Sequence, residues 1–517
     1  MSNRRFLNMA LIAAVIVIAA AVSVHLLRGG QEPKFPDADN NGIKDTLVIG
    51  AAAEINNLNL QEQNDQINNI CLKLTHDTLF FFTNDGKVTP RLAESYKYLD
   101  DNTIRVKLRR GVTFSDGTQL TADDVKFTYD MALRGPSAGV LAGLKSVEVI
   151  DPATILLHLG SYDASFMLNL TSIPCSIQSK KAWESGAKEP WLIGTGRYIF
   201  KEWVKGKRAS FTKRNDYWDA TQQGVADEII FVPIIDASKR ARALLKRDID
   251  VCIDPPIREL SPIENDGGLK VFEEAGTRLF YFAFNVQKAP WDNIKLRQAI
   301  ACAINREEVI DKAVFGKGVP QTTVLNRGLW GFYDGIPGFG YDVARSKKLM
   351  AESGHPGGKI TAKLLIADST PYKAIANVIR ENLKAVGVNV EIEVDTDAHL
   401  KERCGKGDQE LYLWRWNEDQ KIDWVYGDLY RSDSPFNYHH YKSKAADVLI
   451  EKVRIEKDER RRYKYGVELQ TMLVNDCPQV PLYVANLILA YNAGLKGEYF
   501  FGGGNHDWSR AYIEIKK

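Results

Sequence analysis

The stretch that most restricts the fold is a strand–turn–helix pattern between residues 103 and 129. Apolar side chains alternate with polar ones over 103–109, which predicts a strand with one buried face. The tetrapeptide Ser115-Asp116-Gly117-Thr118 combines turn-forming residues and predicts a tight loop. Thr121 and Asp124 then stand at capping-box spacing, so a helix is predicted to begin directly after Thr121. In this order the three signals predict one strand–loop–helix unit.

Two runs in this stretch resemble a known family. Residues 108–118, followed by 120–125, are similar to the signature of the large extracytoplasmic solute-binding proteins of family 5, the peptide-, dipeptide- and nickel-type receptors of ABC importers. Further blocks resemble the same family in the same order, from about residue 46 to the end. These blocks are Gly194-Thr195-Gly196-Arg197-Tyr198, Arg214-Asn215-Asp216-Tyr217-Trp218, Phe284-Asn285, Pro290-Trp291-Asp292, Asn437-Tyr438 and Val480-Pro481-Leu482-Tyr483.

The resemblance implies an α/β fold of the two-lobe periplasmic-binding-protein type, in its large form, with an extra subdomain and a ligand cleft between the lobes. A predicted helix over 371–386, followed by an alternating strand over 388–394, is also typical of an α/β lobe. Segments near 278–288 and 478–490 are expected to cross between the lobes and to act as a hinge. The expected ranges are lobe one at 46–278 with the subdomain at about 72–170, lobe two at 279–485, and a return to lobe one at 486–517.

Residues 1–29 are predicted to be a signal peptide or an N-terminal membrane anchor. Arg4 and Arg5 precede an apolar run from Met9 to Leu27, and this order suits both alternatives. The run approaches the ~20 residues needed to span a bilayer, whereas the small side chain of Ala21 suits a cleavage site. Both alternatives export the rest of the chain, and the uncleaved one attaches it to the cytoplasmic membrane.

Residues 30–45 are predicted to form a polar linker that contains a candidate calcium loop. Alternating carboxylate and amide oxygens suit a hard cation, and Gly42 permits the sharp turn. Val48 stands where an EF-hand would have its bidentate glutamate, so the alternative is a solvated turn rich in Asp and Asn. No cofactor other than this structural calcium is expected. The candidate ligands are Asp37, Asp39, Asn41 and Asp45.

The sequence carries no motif that argues for catalysis. A His-Glu-x-x-His zinc site, a Gly-x-Ser-x-Gly elbow and a P-loop are all missing. His439 and His440 are adjacent, and adjacent residues of a strand face opposite ways. A net charge of +2 without a long basic run argues against nucleic-acid binding. The 6 cysteines form no Cys-x-x-Cys pair and are expected to be mainly buried free thiols. We therefore expect a monomeric binding protein and no enzyme.

The richest candidate for a ligand site is the segment 414–424, which combines aromatic walls with several charges. In peptide-binding relatives a Gly-Trp pair precedes, by three residues, an aspartate that holds the ligand's α-amino group. Trp416 and Asp419 keep that spacing, while Arg415 replaces the glycine and Glu418 takes the role if the register shifts by one. The alternative is a structural loop with paired charges. The predicted ligand contacts are Asp419, Trp416, Arg415, Glu418, Trp414 and Arg197, the last standing where the family turn usually has proline.

Two functions remain open at this point, and both are binding functions. The first is a receptor that delivers a peptide or similar small solute to the permease subunits of an ABC importer. The second is a membrane-tethered solute sensor or chaperone that uses the same fold without a transporter. An exported hydrolase is disfavoured because no nucleophile–base pair is visible. The expected location is extracytoplasmic in each case.

Overall fold

The computed structural model describes residues 41–62, 65–83, 87–327, 329–417, 422–497 and 506–515. The predicted apolar run from Met9 to Leu27 and four predicted site residues, Asp37, Asp39, Glu418 and Asp419, lie outside these ranges. Within them, no helix combines the length and the apolar character that crossing a membrane requires.

Strands and helices alternate over most of the chain. The strands are β1 (Thr46–Ala51), β2 (Phe80–Phe82), β3 (Val88–Pro90), β4 (Ala93–Asp100), β5 (Thr103–Leu108), β6 (Leu144–Asp151), β7 (Thr154–Leu159), β8 (Tyr198–Val204), β9 (Arg208–Lys213), β10 (Glu228–Pro233), β11 (Val251–Ile253), β12 (Leu269–Phe284), β13 (Gly318–Pro320), β14 (Ile360–Ala367), β15 (Val388–Asp395), β16 (Leu411–Asn417), β17 (Gln479–Asn492), β18 (Leu495–Lys496) and β19 (Tyr512–Ile513). The helices are α1 (Gln66–Thr75), α2 (Ala122–Ala132), α3 (Phe166–Asn169), α4 (Lys180–Glu184), α5 (Ala237–Leu245), α6 (Leu260–Glu264), α7 (Ile294–Ala303), α8 (Arg306–Val314), α9 (Val343–Glu352), α10 (Thr370–Lys384), α11 (Asp397–Lys406), α12 (Ile422–Tyr430), α13 (Lys444–Ile455) and α14 (Glu459–Asp476).

One large mixed sheet runs through the whole molecule. Its strand order is β15-β14-β16-β12-β17-β11-β1-β10-β9-β8, with β13 beside β17. Strands β12 and β17 are the two longest, and they pair antiparallel from Leu269 opposite Asn492 to Ala283 opposite Gln479. They therefore lie side by side in both halves of the molecule, with β16 flanking one half and β11 the other.

Separate apolar cores form on the two halves of this sheet. The largest core takes its buried side chains from Leu279 through Val484. The cores of the other half combine side chains of the N-terminal part of the chain, such as Leu47 and Phe231, with Leu489 and Trp508 near its end. We call the first half lobe two and the second lobe one. The individual range limits given above stay predictions.

The strand–loop–helix unit predicted from residues 103–129 is confirmed and belongs to a smaller sheet. Strands β4-β5-β7-β6 form a 4-stranded antiparallel sheet. Helix α2 begins with the predicted capping box, in which a carboxylate oxygen of Asp124 accepts from the backbone N of Thr121 at 2.8 Å. Val106 and Val125 are buried in the core of this region. We call it the small-sheet region.

All six cysteines lie in described ranges, and each is buried. Burial raises the pKa of the Cys252, Cys404 and Cys477 thiols to about 12. The thiolate is the nucleophilic form, so these groups are inert in the folded protein.

Candidate ligand-binding cleft

The carboxyl ends of parallel strands from both lobes face one another where the lobes meet. In lobe two, β14 pairs in parallel with β15 and β16, and the last residue of β16 lies opposite Arg278 of β12. In lobe one, β1 pairs in parallel with β10 and β11. The strands end at Ala367, Asp395 and Asn417 in lobe two and at Ala51, Pro233 and Ile253 in lobe one. Open α/β sheets bind ligands in the crevice outside such ends.

A β-bulge marks the point at which β12 passes between the lobes. Its register with β17 breaks between Ala275 and Arg278. Inside the bulge, a Cβ added to Gly276 would lie 2.5 Å from the carbonyl oxygen of Ala485, so only glycine fits. The carbonyl of Thr277 accepts from the side-chain amide of Asn326 at 2.9 Å. Bulges bend a strand locally, and this one places the bend at the cleft.

Three of the predicted contacts, Trp414, Arg415 and Trp416, lie at the C-terminal end of β16 in lobe two. Trp414 is buried in the core, with its ring near that of Tyr372 at a centroid distance of 6.4 Å. Trp416 is half-buried, and its ring lies 6.0 Å from that of Phe436. Arg415 lies between them in sequence and keeps 38% of its side-chain surface exposed. Trp414 is thus a core residue, whereas Arg415 and Trp416 are partly exposed, and the role of all three as ligand contacts stays a prediction.

The Arg415 guanidinium is held over aromatic rings. Its Nη1 donates to the hydroxyl of Tyr372 at 2.9 Å, and its Nη2 lies 3.6 Å from a carboxylate oxygen of Asp397. It lies 5.8 Å from the ring centroid of Tyr372 and 5.6 Å from that of Trp414. Burial alone would lower the pKa of Arg415, but Tyr372 and Asp397 outweigh it and raise the pKa. The group is therefore a fixed cation at the cleft.

Arg197 lies in lobe one and is buried. Its Nε donates to the carbonyl of Gln222 at 2.5 Å, its Nη1 donates to Ser509 Oγ at 3.0 Å, and its guanidinium lies 5.2 Å from the ring centroid of Tyr217. The carboxylate of Asp507 is 4.0 Å from its Nη1. The structure does not bring Arg197 together with the end of β16, and its role as a ligand contact stays a prediction.

A buried ion pair beside Arg197 escaped the sequence analysis. Arg91 Nη2 lies 2.5 Å from Asp77, whose side chain is 0% exposed. Trp218 Nε1 donates to the same carboxylate at 3.1 Å and the hydroxyl of Tyr217 at 3.3 Å. Tyr217 and Trp218 belong to one of the family-like blocks. That block is the sequence signal that could have pointed to these two residues. We call these four residues the Asp77 network.

The candidate calcium loop is described only in part. Asn41 Oδ1 accepts from the backbone N of Ile43 at 2.7 Å, which is the geometry of an Asx turn. Asp45 is half-buried. In the portion of the chain that the structure describes, no three His, Cys, Asp or Glu side chains are grouped to hold a metal ion. Calcium binding stays a prediction.

The two adjacent histidines have different partners. His439 is buried, with Nδ1 2.7 Å from the hydroxyl of Tyr412. His440 Nε2 lies 2.8 Å from the carbonyl of Cys404.

Comparison with protein families shows what class of protein carries this cleft. The model of the bacterial extracellular solute-binding proteins, family 5 (middle), matches residues 87–438. The chain belongs to this family. Its members are extracytoplasmic solute-binding proteins of ABC importers, so the predicted family and the predicted two-lobe α/β fold are confirmed.

Individual relatives cover nearly the whole chain. The glutathione-binding protein GsiB of Salmonella choleraesuis is 26% identical over 470 residues, 87% of this chain and 91% of the relative. The substrate-binding protein CtaP of Listeria monocytogenes has a TM-score of 0.83 at 26% identity, over 91% of this chain and 99% of that one. The periplasmic binding protein DppA of Helicobacter pylori, solved with the peptide STSA, has a TM-score of 0.78 at 26% identity, over 91% and 98%.

Proposed function

We propose that this protein is the receptor of an ABC importer and that it captures a short peptide or a similar small solute between its lobes. The observation that carries the proposal is the meeting of strand carboxyl ends from both lobes, with Arg415 and Trp416 at the end of β16. The peptide-bound structure of the relative DppA supports a ligand of this class.

Capture proceeds through a shift in population between open and closed forms. A ligand that contacts both lobes favours the closed form by the affinity difference between the two forms. The bulge at Gly276 is a point where the crossing strands can bend, because the ladder is interrupted there. Opening at the permease then releases the solute, and no covalent step is needed.

The anchor for a ligand cation is Asp419, with Trp416 as an adjacent wall. The support is the family-like spacing of these two residues and the half-buried ring of Trp416 at the surface of the cleft. A carboxylate in a closed cleft forms charge-assisted hydrogen bonds, each contributing about 1.5–3 kcal/mol. Asp419→Asn should therefore weaken peptide binding by roughly ten- to 150-fold and leave the melting temperature unchanged.

Calorimetry on the detergent-solubilised full chain tests this anchor, with Glu418→Gln as the matched control. Loss of binding only in Glu418→Gln would show that the family-like register is shifted by one residue and that Glu418 is the anchor. Unchanged binding in both variants would refute the anchor. A loss of stability at constant affinity would instead favour the structural loop.

The receptor role itself has two tests. A tripeptide at 100 times its dissociation constant should stabilise the full chain by about 2.7 kcal/mol in a thermal shift, and scattering should show compaction. No tripeptide should be hydrolysed. Cells that lack the protein should lose uptake of the bound peptide. Binding without any effect on uptake would favour the tethered sensor or chaperone, and measured turnover would refute both.

A further inference from the structure

A small cavity lies in lobe two, where the start of β17 meets the start of α8. It has room for one small molecule or ion. Gln479 is the first residue of β17, whereas Ala485 of the same strand lies at the bulge, and the strand between them spans about 20 Å. The cavity is therefore separate from the ligand cleft. We call it the Arg306 cavity; its polar lining residues are Arg306, Thr322, Cys477 and Gln479, and its other lining residues are apolar.

Arg306 places a buried positive charge at this cavity. The residue is 6% exposed. Its Nε donates to the carbonyls of Gln321 at 2.9 Å and Pro481 at 2.7 Å, and its Nη1 donates to the carbonyl of Phe339 at 2.9 Å. Its Nη2 has no acceptor among the residues that the structure describes. A guanidinium carries five N–H donors, so Arg306 keeps donors for a further acceptor.

No carboxylate compensates the charge of Arg306 within the described ranges. The acidic groups that act on this charge are the thiols of Cys302 and Cys477. Burial raises the pKa of both thiols, that of Cys477 to about 12, so both are neutral at pH 7. Burial also lowers the pKa of Arg306 to about 10. A buried charge without a counter-ion destabilises a fold, so an anion at this place would be stabilising.

Gln479 adds an unpartnered amide to the same cavity. The residue is 2% exposed, and neither its Oε1 nor its Nε2 has a hydrogen-bond partner in the described part of the chain. Leaving such a group unpaired costs free energy, so it calls for a partner that the chain itself does not supply. Its Nε2 is a donor, and so is the hydroxyl of Thr322. One cation with neutral donors and apolar walls suits an ion with a single negative charge.

We infer that the Arg306 cavity binds one small monovalent anion, with chloride as the probe, and that this anion stabilises lobe two at the start of β17. Arg306 supplies the opposite charge, and Gln479 and Thr322 supply neutral donors. The alternative occupant is a water molecule, which would satisfy Gln479 but leave the charge of Arg306 uncompensated. The inference goes beyond the proposed function, because it does not involve the solute in the cleft.

The test compares sodium chloride with sodium gluconate at constant ionic strength, because gluconate is too large for the cavity. The melting temperature of the detergent-solubilised full chain should be about 2–5 °C higher at a chloride concentration of about ten times the dissociation constant. Bromide should replace chloride in this effect. Crystals grown in sodium bromide should show an anomalous-scattering peak in the cavity beside Nη2 of Arg306.

Variants then assign the effect to the cavity. Gln479→Glu puts a carboxylate of the protein beside Arg306, so its melting temperature should exceed that of wild type in gluconate and should no longer change with chloride. Arg306→Gln removes the cation and should also abolish the chloride shift. The matched control is Gln178→Glu in the small-sheet region, because Gln178 is 0% exposed and its Nε2 is also unpartnered among the described residues. The control should melt at a lower temperature and keep the full chloride shift.

Each other outcome contradicts the anion site. Equal melting temperatures in chloride and gluconate would show that no anion stabilises the cavity. A chloride shift of wild-type size in Gln479→Glu would place the responsible ion elsewhere, and so would bromide peaks found only outside the cavity. If Arg306→Gln does not fold, Gln479→Glu decides, and if neither variant folds, the position of bromide in the wild type decides. Peptide binding in the cleft is tested separately, so either proposal can fail alone.

Discussion

The two lobes use arginine in opposite ways. In the Asp77 network of lobe one, Arg91 contacts a carboxylate that is 0% exposed and that also accepts from Tyr217 and Trp218. At the end of β16 in lobe two, Arg415 is 38% exposed, and among the described residues its nearest carboxylate is that of Asp397 at 3.6 Å. In the first arrangement the carboxylate is closed to solvent and paired with its cation. The second keeps hydrogen-bond donors available at the cleft.

This difference separates residues that hold the fold from residues that hold a ligand. Removing one partner of a buried ion pair leaves a charge without compensation and costs stability. Removing a half-exposed arginine leaves no buried charge without compensation. Its removal should therefore lower ligand affinity rather than stability. Substitutions in the two regions should therefore change different measurements.

The largest effect is expected for Arg91→Met. The variant leaves Asp77 buried without its cation, and the free energy of unfolding should fall by about 3–5 kcal/mol in urea titrations. Lys107→Met is the control, because Lys107 and its partner Glu94 are 51% and 49% exposed, and it should change stability by less than about 0.5 kcal/mol. Equal, small losses in both variants would show that the Asp77 network is dispensable.

Acid should destabilise both lobes through buried histidines. Burial lowers the pKa of His76 to about 4, although the carboxylate of Asp77 acts to raise it. Burial also lowers the pKa of His439 to about 3. The unfolded chain, with a pKa near 6.5, binds protons first, so this stability is complete above pH 6.5 and is lost as the pH falls towards 4. Between pH 7 and 4.5, the protein should lose up to about 3 kcal/mol of stability through each histidine. Unfolding titrations between pH 7 and 4.5 on wild type and His439→Gln test this, and identical slopes would contradict it.

A reciprocal pair of variants sharpens the contrast between the lobes. Arg197→Gln removes buried hydrogen bonds to Gln222 and Ser509, and should lower the free energy of unfolding by about 2–3 kcal/mol. Arg415→Gln should change stability by less than about 1 kcal/mol and reduce affinity. Melting curves and calorimetry on both variants give the two readouts. A loss of affinity in Arg197→Gln would support its predicted role as a ligand contact, and unchanged affinity would contradict it.

The smallest effect concerns a polar contact between the small-sheet region and lobe two. Arg454 Nη1 lies 3.0 Å from Asp163, and the backbone N of Ala164 donates to the carbonyl of Arg454 at 2.9 Å. Arg454→Gln should weaken the closed form by about 0.5–1 kcal/mol, which raises the dissociation constant about two- to fivefold, mainly through faster release. Stopped-flow release rates measure this. Arg431→Gln, which breaks an exposed pair with Asp433 in lobe two, is the control.

Local signals in the sequence predicted local structure well. The alternation over β5 and the capping box of α2 depend on neighbours a few residues apart, and both are confirmed. The family-like blocks predicted the two-lobe fold. Contacts over long separations could not be predicted, because no local pattern marks them. Arg197 and Ser509 are 312 residues apart, and Arg278 and Asn417 are 139 residues apart. For that reason the position of Arg278 opposite the last residue of β16 could not be predicted, although Arg415 was singled out from the sequence.

The pairing of β17 with β11 and β12 also governs the order in which the chain can assemble. Lobe one needs Leu489 and Trp508 for its core, and Lys44 donates its backbone N–H to the carbonyl of Ile513 at 2.9 Å. The core of lobe two is drawn from one continuous stretch, Leu279 to Val484. During synthesis from the N terminus, the first strands to emerge are therefore among the last to find all their partners. Such long-range closure is slow, so lobe one stays incompletely folded until the segment from Leu489 to Ile513 is made.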